Sequence, residues 1–130
     1  MLTTAGKTEI ANLIVNANSP VHFGWIAIGV GTTAAAVGDT TLEDESNRVA
    51  ATVDYISILS PLDTIRFVGL HTIDTAEVIS EIGVLNAAAA GDLLARRILN
   101  PTFTVAVSDK GISVFTFTMK DGGIGAASGW

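Results

Sequence analysis

Two stretches late in the chain alternate between apolar and polar residues, and that period of two sets the fold class. Thr102-Phe103-Thr104-Val105-Ala106-Val107 is the first, and Ile112 to Met119 the second. Successive side chains of a β-strand point to opposite faces, so a strand half-buried on one face reads this way. Ser108-Asp109-Lys110-Gly111 lies between the two runs and predicts a hairpin turn, with glycine available for a positive φ.

Other segments carry the same chemistry. Val21 to Val30 is rich in β-branched and aromatic residues and predicts a strand. Val49, Ala51, Val53 and Tyr55 share one face of another, and Ile65 and Phe67 one face of the next. Val78 to Leu85 and Leu93 to Leu99 are further strand candidates, and Ala87–Ala90 is expected to be a loop. Residues 4–16 instead follow helical spacing at Ile10, Leu13 and Ile14, with Lys7, Glu9 and Asn12 off that stripe. Thr3 or Thr4 is placed to cap its start, and Asn16 to Pro20 to close it. Asp39 to Glu45 reads as a short helical turn, with Thr40 and Glu43 in capping-box register.

The expected fold is mainly β: a compact antiparallel β-sandwich or barrel, jelly-roll-like, of about six to eight strands with one N-terminal amphipathic helix. A βαβ series needs helices between its strands, for which the sequence has no room. The 130 residues suit one domain. It divides into a helical segment 1–20, a sandwich 21–120 and a glycine-rich arm 121–130. The expected core is Ile26, Ile28, Val53, Ile65, Phe67, Ile82, Val84, Leu94, Val105, Phe115 and Phe117.

Composition narrows the function. Seven basic residues stand against 13 acidic ones, a net charge of -6, and only Arg96 and Arg97 are adjacent cations. That balance argues against direct nucleic-acid binding. There is no cysteine, so disulfides and thiolate metal sites are excluded. No apolar run approaches the roughly 18 residues of a membrane span, and the start lacks a signal-peptide pattern. A soluble product made in the cytoplasm, with no membrane partner, is therefore expected. Only 15% of residues are charged while 48% are apolar. A small monomer carries about a quarter charged residues, so this chain is expected to hide surface in contacts with other chains.

Motifs for chemistry fail on context. Gly6-Lys7-Thr8 ends like a phosphate-binding loop, but Met1 occupies the position of the required earlier glycine. Gly29-Val30-Gly31-Thr32-Thr33-Ala34 fits a loose dinucleotide pattern, yet the following helix is broken at Gly38-Asp39, and Asp54 lies inside a strand. His22 and His71 lack metal-ligand spacing. Glu43, Asp44 and Glu45 lack the order of a calcium loop and read as a solvated acidic turn. No Gly-x-Ser-x-Gly elbow is present. No catalytic residue, cofactor or metal is expected, and the chain reads as a non-enzyme. A carbohydrate-binding or hydrolytic module would need an exposed aromatic platform or a carboxylate pair, whereas most of the aromatics sit at core-like spacings.

Read as phrases in order, the chain resembles a family of small tailed-phage virion proteins of the capsid decoration (cement) or tail-appendage type. Leu2-Thr3-Thr4-Ala5-Gly6-Lys7-Thr8-Glu9-Ile10-Ala11 is similar to that family's opening. Ala27 to Ala36 followed by Asp39-Thr40-Thr41-Leu42-Glu43 resembles its central signature. Ser80 to Ala87 with Gly91-Asp92-Leu93-Leu94-Ala95-Arg96 resembles a later one, with Leu85 where the family has an aromatic. The resemblance implies a non-enzymatic virion subunit, assembled in the host cytoplasm. Its partners would be copies of itself, a trimer being favoured, and the major capsid protein or neighbouring virion proteins. A tail, baseplate or fibre-base subunit, with or without receptor or carbohydrate binding, is the alternative.

Two residue sets follow. Ile10, Leu13, Ile14, Trp25, Arg96, Arg97 and Trp130 are the candidate interface anchors, tryptophan being enriched at hot spots. Arg96 and Arg97 point to opposite faces of a strand, and one of them is in reach of Glu81 or Asp92; a solvated edge is the plainer expectation. Gly29, Gly31, Thr32, Glu81 and Gly83 form a candidate structural loop motif, in which Glu81 accepts from backbone donors of the Gly29–Thr33 loop.

Overall fold

A computed structural model describes residues 1–19, 21–55 and 64–118. Among these residues the fold is mainly β: one short helix, then seven strands in two antiparallel sheets stacked as a sandwich. The elements are α1 (Thr4–Val15), β1 (Trp25–Gly29), β2 (Glu45–Ala50), β3 (Thr52–Tyr55), β4 (Thr64–Thr72), β5 (Glu77–Leu85), β6 (Leu93–Val105) and β7 (Lys110–Thr118). The first sheet has the order β2-β1-β5-β6 and the second β3-β4-β7. Two separate sheets replace the closed barrel that the strand pattern also allowed.

The core lies between the sheets. Ile26, Ile28, Phe67, Ile82, Val84, Leu94 and Phe115 are buried there as expected, joined by Phe23, Ile73 and Ile79. Ile65, Val105 and Phe117 pack against it half-buried. Val53 is a correction: it lies on the four-residue edge strand β3 and remains exposed. Tyr55 and Phe103 are exposed as well, against their core-like spacing. A second, smaller cluster of Ala27, Leu42, Leu85 and Leu93 covers the opposite face of the first sheet. This double cover explains why β5 is buried continuously from Ile79 to Leu85.

Three local expectations fail for tertiary reasons. The segment 49–55 is two strands, because the chain crosses from one sheet to the other at Ala51, whose N–H donates to the Gly24 carbonyl (2.8 Å). The final alternating runs do not form a hairpin. β6 runs from Leu93 through Pro101 to Val105 and pairs with β5, whereas β7 pairs with β4. The turn between them carries the chain across the sandwich, and Ser108, not Gly111, holds the positive φ (70°). The capping-box turn at 39–45 is not helical; β2 already begins at Glu45. Its polar side chains serve the centre described below.

α1 begins at Thr3, whose hydroxyl accepts from the Gly6 N–H (2.9 Å) while donating to the Leu93 carbonyl. It ends at Asn16, in the left-handed region at φ 51°. Met1 to Thr3 lie along the edge of β6: the Arg96 N–H reaches the Met1 carbonyl (3.0 Å) and the Thr3 N–H the Leu94 carbonyl (2.9 Å). Gly6 is the contact point of the helix, because a Cβ there would stand 2.7 Å from the Leu94 Cα. Beyond Ile10, which packs on the core, Leu13, Ile14 and Val15 stand in solvent.

Candidate functional site

The central and later sequence phrases meet on the outer face of the first sheet. β1 and β5 pair so that Gly29 lies opposite Glu81, and Gly83 lies opposite both Ala27 and Arg96. Loop 30–44 folds back across this face. The glycines allow that approach: a Cβ on Gly31 would stand 2.6 Å from Glu81 Oε1, and one on Gly83 2.5 Å from Leu42 Cδ1.

Glu81 has no solvent exposure and organises the loop. Its Oε1 accepts from the N–H groups of Gly31 (3.1 Å) and Asp44 (2.8 Å). Its Oε2 accepts from the Glu43 N–H (3.0 Å) and Arg96 Nε (2.7 Å). Four hydrogen bonds fill the lone-pair positions of a carboxylate. Ser80 adds a bond from its hydroxyl to the Gly31 carbonyl (2.7 Å).

Arg96 is 2% exposed, which corrects both the solvated edge and its candidacy as an interface anchor. Its Nη1 donates to Asp39 Oδ2 (3.0 Å), and its Nη2 to the Thr33 carbonyl (2.9 Å), with Glu43 Oε2 at 3.5 Å. Glu43 in turn accepts from the Thr33 N–H and hydroxyl (2.8 and 2.7 Å), and Asp39 from the Ala36 N–H (2.9 Å). The acidic turn is thus a set of loop staples around a buried guanidinium. Thr32 is exposed and only its backbone belongs to the loop.

The electrostatics follow from this geometry. Burial alone pushes the Glu81 carboxyl up, but the Asp44 N–H, Arg96 and the Glu43 N–H outweigh it and hold it below its ordinary value. Asp39 is lowered by the Ala36 N–H and Arg96, and Glu43 by its bonds to Thr33. Burial lowers Arg96, and its bonds to Glu81 and Asp39 more than restore it. A carboxylate so saturated and shielded has no free lone pair for proton transfer. What the centre does is fix loop 30–44 to the sheet.

A second polar cluster ties the sheets together. His71 of β4 faces Asn47 of β2 through Nδ1 (2.6 Å) and Ser113 of β7 through Nε2 (2.7 Å). With Nδ1 donating to the Asn47 carbonyl oxygen, Nε2 accepts the Ser113 proton, the order that nucleophilic catalysis also uses. Here the hydroxyl sits on the inward face of a regular strand, and all three groups satisfy one another across the core. Burial lowers the His71 pKa, so the folded ring resists protonation more than a free imidazole. Below pH about 6.5 the unfolded chain takes up a proton that the folded ring refuses, so stability falls with pH there. The slope for one proton reaches at most about 1.4 kcal/mol per pH unit. Denaturant titrations between pH 5.5 and 7.5 are expected to show this decline, and His71→Asn to flatten it; an equal slope in both proteins contradicts the assignment.

The remaining candidates are dispersed. Arg97 is exposed on the opposite face from Arg96, and Trp25 is half-buried against the smaller cluster. Ile10 is half-buried, while Leu13 and Ile14 are exposed. Trp130 and the arm 121–130 lie outside the described residues. Among the described residues, no group of three or more His, Asp or Glu side chains is arranged to hold a metal ion. No helix among them is long and apolar enough to cross a membrane. Sequence reasoning missed Asp39 and Asn47, because neither stands in a motif and both matter only through partners far away in sequence. Set against models of known protein families and against curated proteins, the chain matches none.

Proposed function

We propose that this chain is a non-enzymatic structural subunit of a tailed-phage virion, an oligomeric capsid decoration (cement) protein that stabilises the head shell. The observation that carries this reading is the division between its charged and apolar side chains. Arg96, Glu81, Asp39 and Glu43 spend their charge on one another inside the molecule. Large aliphatic side chains meanwhile stand outside, Ile14 at 79% and Ile112 at 72% exposure, with Leu13, Val15 and Leu70 also exposed. A rigid frame with apolar groups on its surface suits association with other proteins. The ordered phrases that resemble phage virion proteins supply the biological setting. Copies of the chain and the major capsid protein are its proposed partners, and a trimer suits a site of local threefold symmetry.

The exposed end of α1 provides the test. Leu13→Glu with Ile14→Glu changes two solvent-facing positions, so the melting temperature is expected to stay within about 2 °C, as surface substitutions usually do. Incorporation into purified particles, quantified by mass spectrometry, is expected to drop at least tenfold. Equal incorporation of a folded variant removes the helix from the interface.

A further inference from the structure

The outer face of the second sheet is apolar at its centre. β4 and β7 pair with Val68 opposite Val114 and Leu70 opposite Ile112. Opposite residues of an antiparallel pair share a face. The intervening Phe67, Gly69, Ser113 and Phe115 are buried towards the first sheet, so these four point away from it. Leu70 is 60%, Ile112 72% and Val114 52% exposed, with Val68 half-buried beside them. An antiparallel sheet with one solvated face places polar residues there. Here four adjoining aliphatic side chains take those positions, and none belongs to either core cluster.

The charges around this patch are matched within it. Thr72 and Lys110 stand at one end, joined by a bond from Lys110 Nζ to the Thr72 hydroxyl (3.1 Å). Arg66 and Thr116 stand at the other, and the Arg66 guanidinium holds Asp54 of β3 through two bonds (3.1 and 2.7 Å). The chain carries a net charge of -6, yet Asp54 is the one acid within β3, β4 and β7, and it is paired.

That pattern complements itself. A twofold axis in the plane between two such faces runs either along the strands or across them. Along them, midway between β4 and β7, it sets Leu70 on Ile112 of a second copy and Val68 on Val114. Lys110 then lies over Thr72, and Arg66 over Thr116. Across them, it sets Leu70 on Val68 and Ile112 on Val114, with Lys110 over Thr116 and Arg66 over Thr72. With the strands aligned, aliphatic groups meet aliphatic groups under both axes, and each cation meets a threonine. Every charge keeps its own partner, so no unpaired charge is buried.

We propose that this face is an interface between two copies of the chain, packed sheet on sheet about a twofold axis. The inference deepens the assembly reading and rests on it for taking copies as partners. It is compatible with a threefold contact elsewhere on the chain, in which case it links neighbouring trimers. β4 and β7 are nine residues long. By strand spacing the face then covers on the order of 400 Å² per copy. Two such faces bury on the order of 800 Å² together, the size of a weak, reversible contact.

Ile112→Glu puts a charge at the centre of the patch and leaves the core untouched, so its melting temperature is expected to stay within about 2 °C of the parent's. At about 1 mM protein, where a contact of this size is populated, sedimentation equilibrium is expected to give the parent at least about twice the variant's mass. Equal masses overturn the interface, while incorporation into particles remains a separate measure of the assembly reading. The chain has no cysteine, so a second measurement introduces one at Val114. With the sheets about 10 Å apart, that position lies about 11–12 Å from its copy under either axis. A bismaleimide of that span is expected to couple Val114→Cys into dimers. Thr41→Cys, exposed on the loop over the first sheet, is expected to stay uncoupled. Dimers from neither protein, or from both alike, contradict the proposal.

Discussion

Glu81→Gln is expected to cost about 3–5 kcal/mol of folding stability, the range for removing one partner of a buried ion pair. The amide keeps the shape of the carboxylate, so packing hardly changes and the loss is electrostatic. One end of the new side chain presents an N–H₂ to two donors that previously had an acceptor. They are either the Gly31 and Asp44 amides or the Glu43 amide and Arg96 Nε. Arg96 also loses its nearest counter-charge while remaining out of solvent. A domain of this size has about 5–15 kcal/mol in total, so the variant is expected to be marginal at 37 °C. Arg97→Gln, one residue from Arg96 and exposed, is the matched control and is expected to be neutral. Urea titration of the three proteins decides the matter, and an unchanged midpoint for Glu81→Gln contradicts the role given to the centre.

The same variant carries a pH signature. Glu81, Asp39 and Glu43 all have carboxyls held below their ordinary values in the fold. Each therefore contributes stability that is fully present above the unfolded range of about 4–4.5 and is lost as pH falls through the folded values. Acid unfolding of the parent is expected to begin as pH drops past that range. Glu81→Gln removes one of the three contributors, so its stability varies less over the same interval.

Gly29→Ala is expected to cost about 3 kcal/mol or more, the upper range for overpacking. A Cβ at this position meets the Asp44 carbonyl oxygen and lies 2.7 Å from Glu81 Oε1. Neither neighbour can yield. The Asp44 carbonyl is held by the Val30 N–H (2.9 Å), and Glu81 by its four donors. Gly38→Ala tests the reasoning from the opposite side, because a Cβ there meets nothing within 4 Å and the backbone has no positive φ. That change is expected to be neutral or to stabilise by up to about 1 kcal/mol through the unfolded chain. Thermal melts of the pair are expected to separate by many degrees; two similar melting temperatures contradict the close approach of loop 30–44 to β1.

The strands were legible where periodicity was local. β5 lies within a residue of its predicted range and β7 begins two residues before its own, because one or both faces of each are buried along much of its length. Pairing was less legible. The alternating runs of 102–107 and 112–119 carry no mark of which sheet each joins, and the short turn between them suits a hairpin as well as a crossing of the sandwich. The capping-box reading of Thr40 and Glu43 failed because Glu43 is drawn to Thr33, ten residues earlier in the chain. The candidate site was legible in part. Glycine at 29, 31 and 83 beside a lone acid at 81 suggested a loop held by a carboxylate. The depth of Arg96 was not readable, since a strand arginine is buried or solvated according to what folds over it. That cover is a loop with no periodicity of its own.

We propose that the molecule works by assembly and not by chemistry. Cryo-electron microscopy of intact particles of the encoding phage tests it most directly, with this chain's density located in the map. The prediction is density spread over the icosahedral shell, with α1 against a neighbouring subunit. Density confined to the neck or tail tip would make the chain an appendage subunit, and its absence from the particle would contradict the virion assignment altogether.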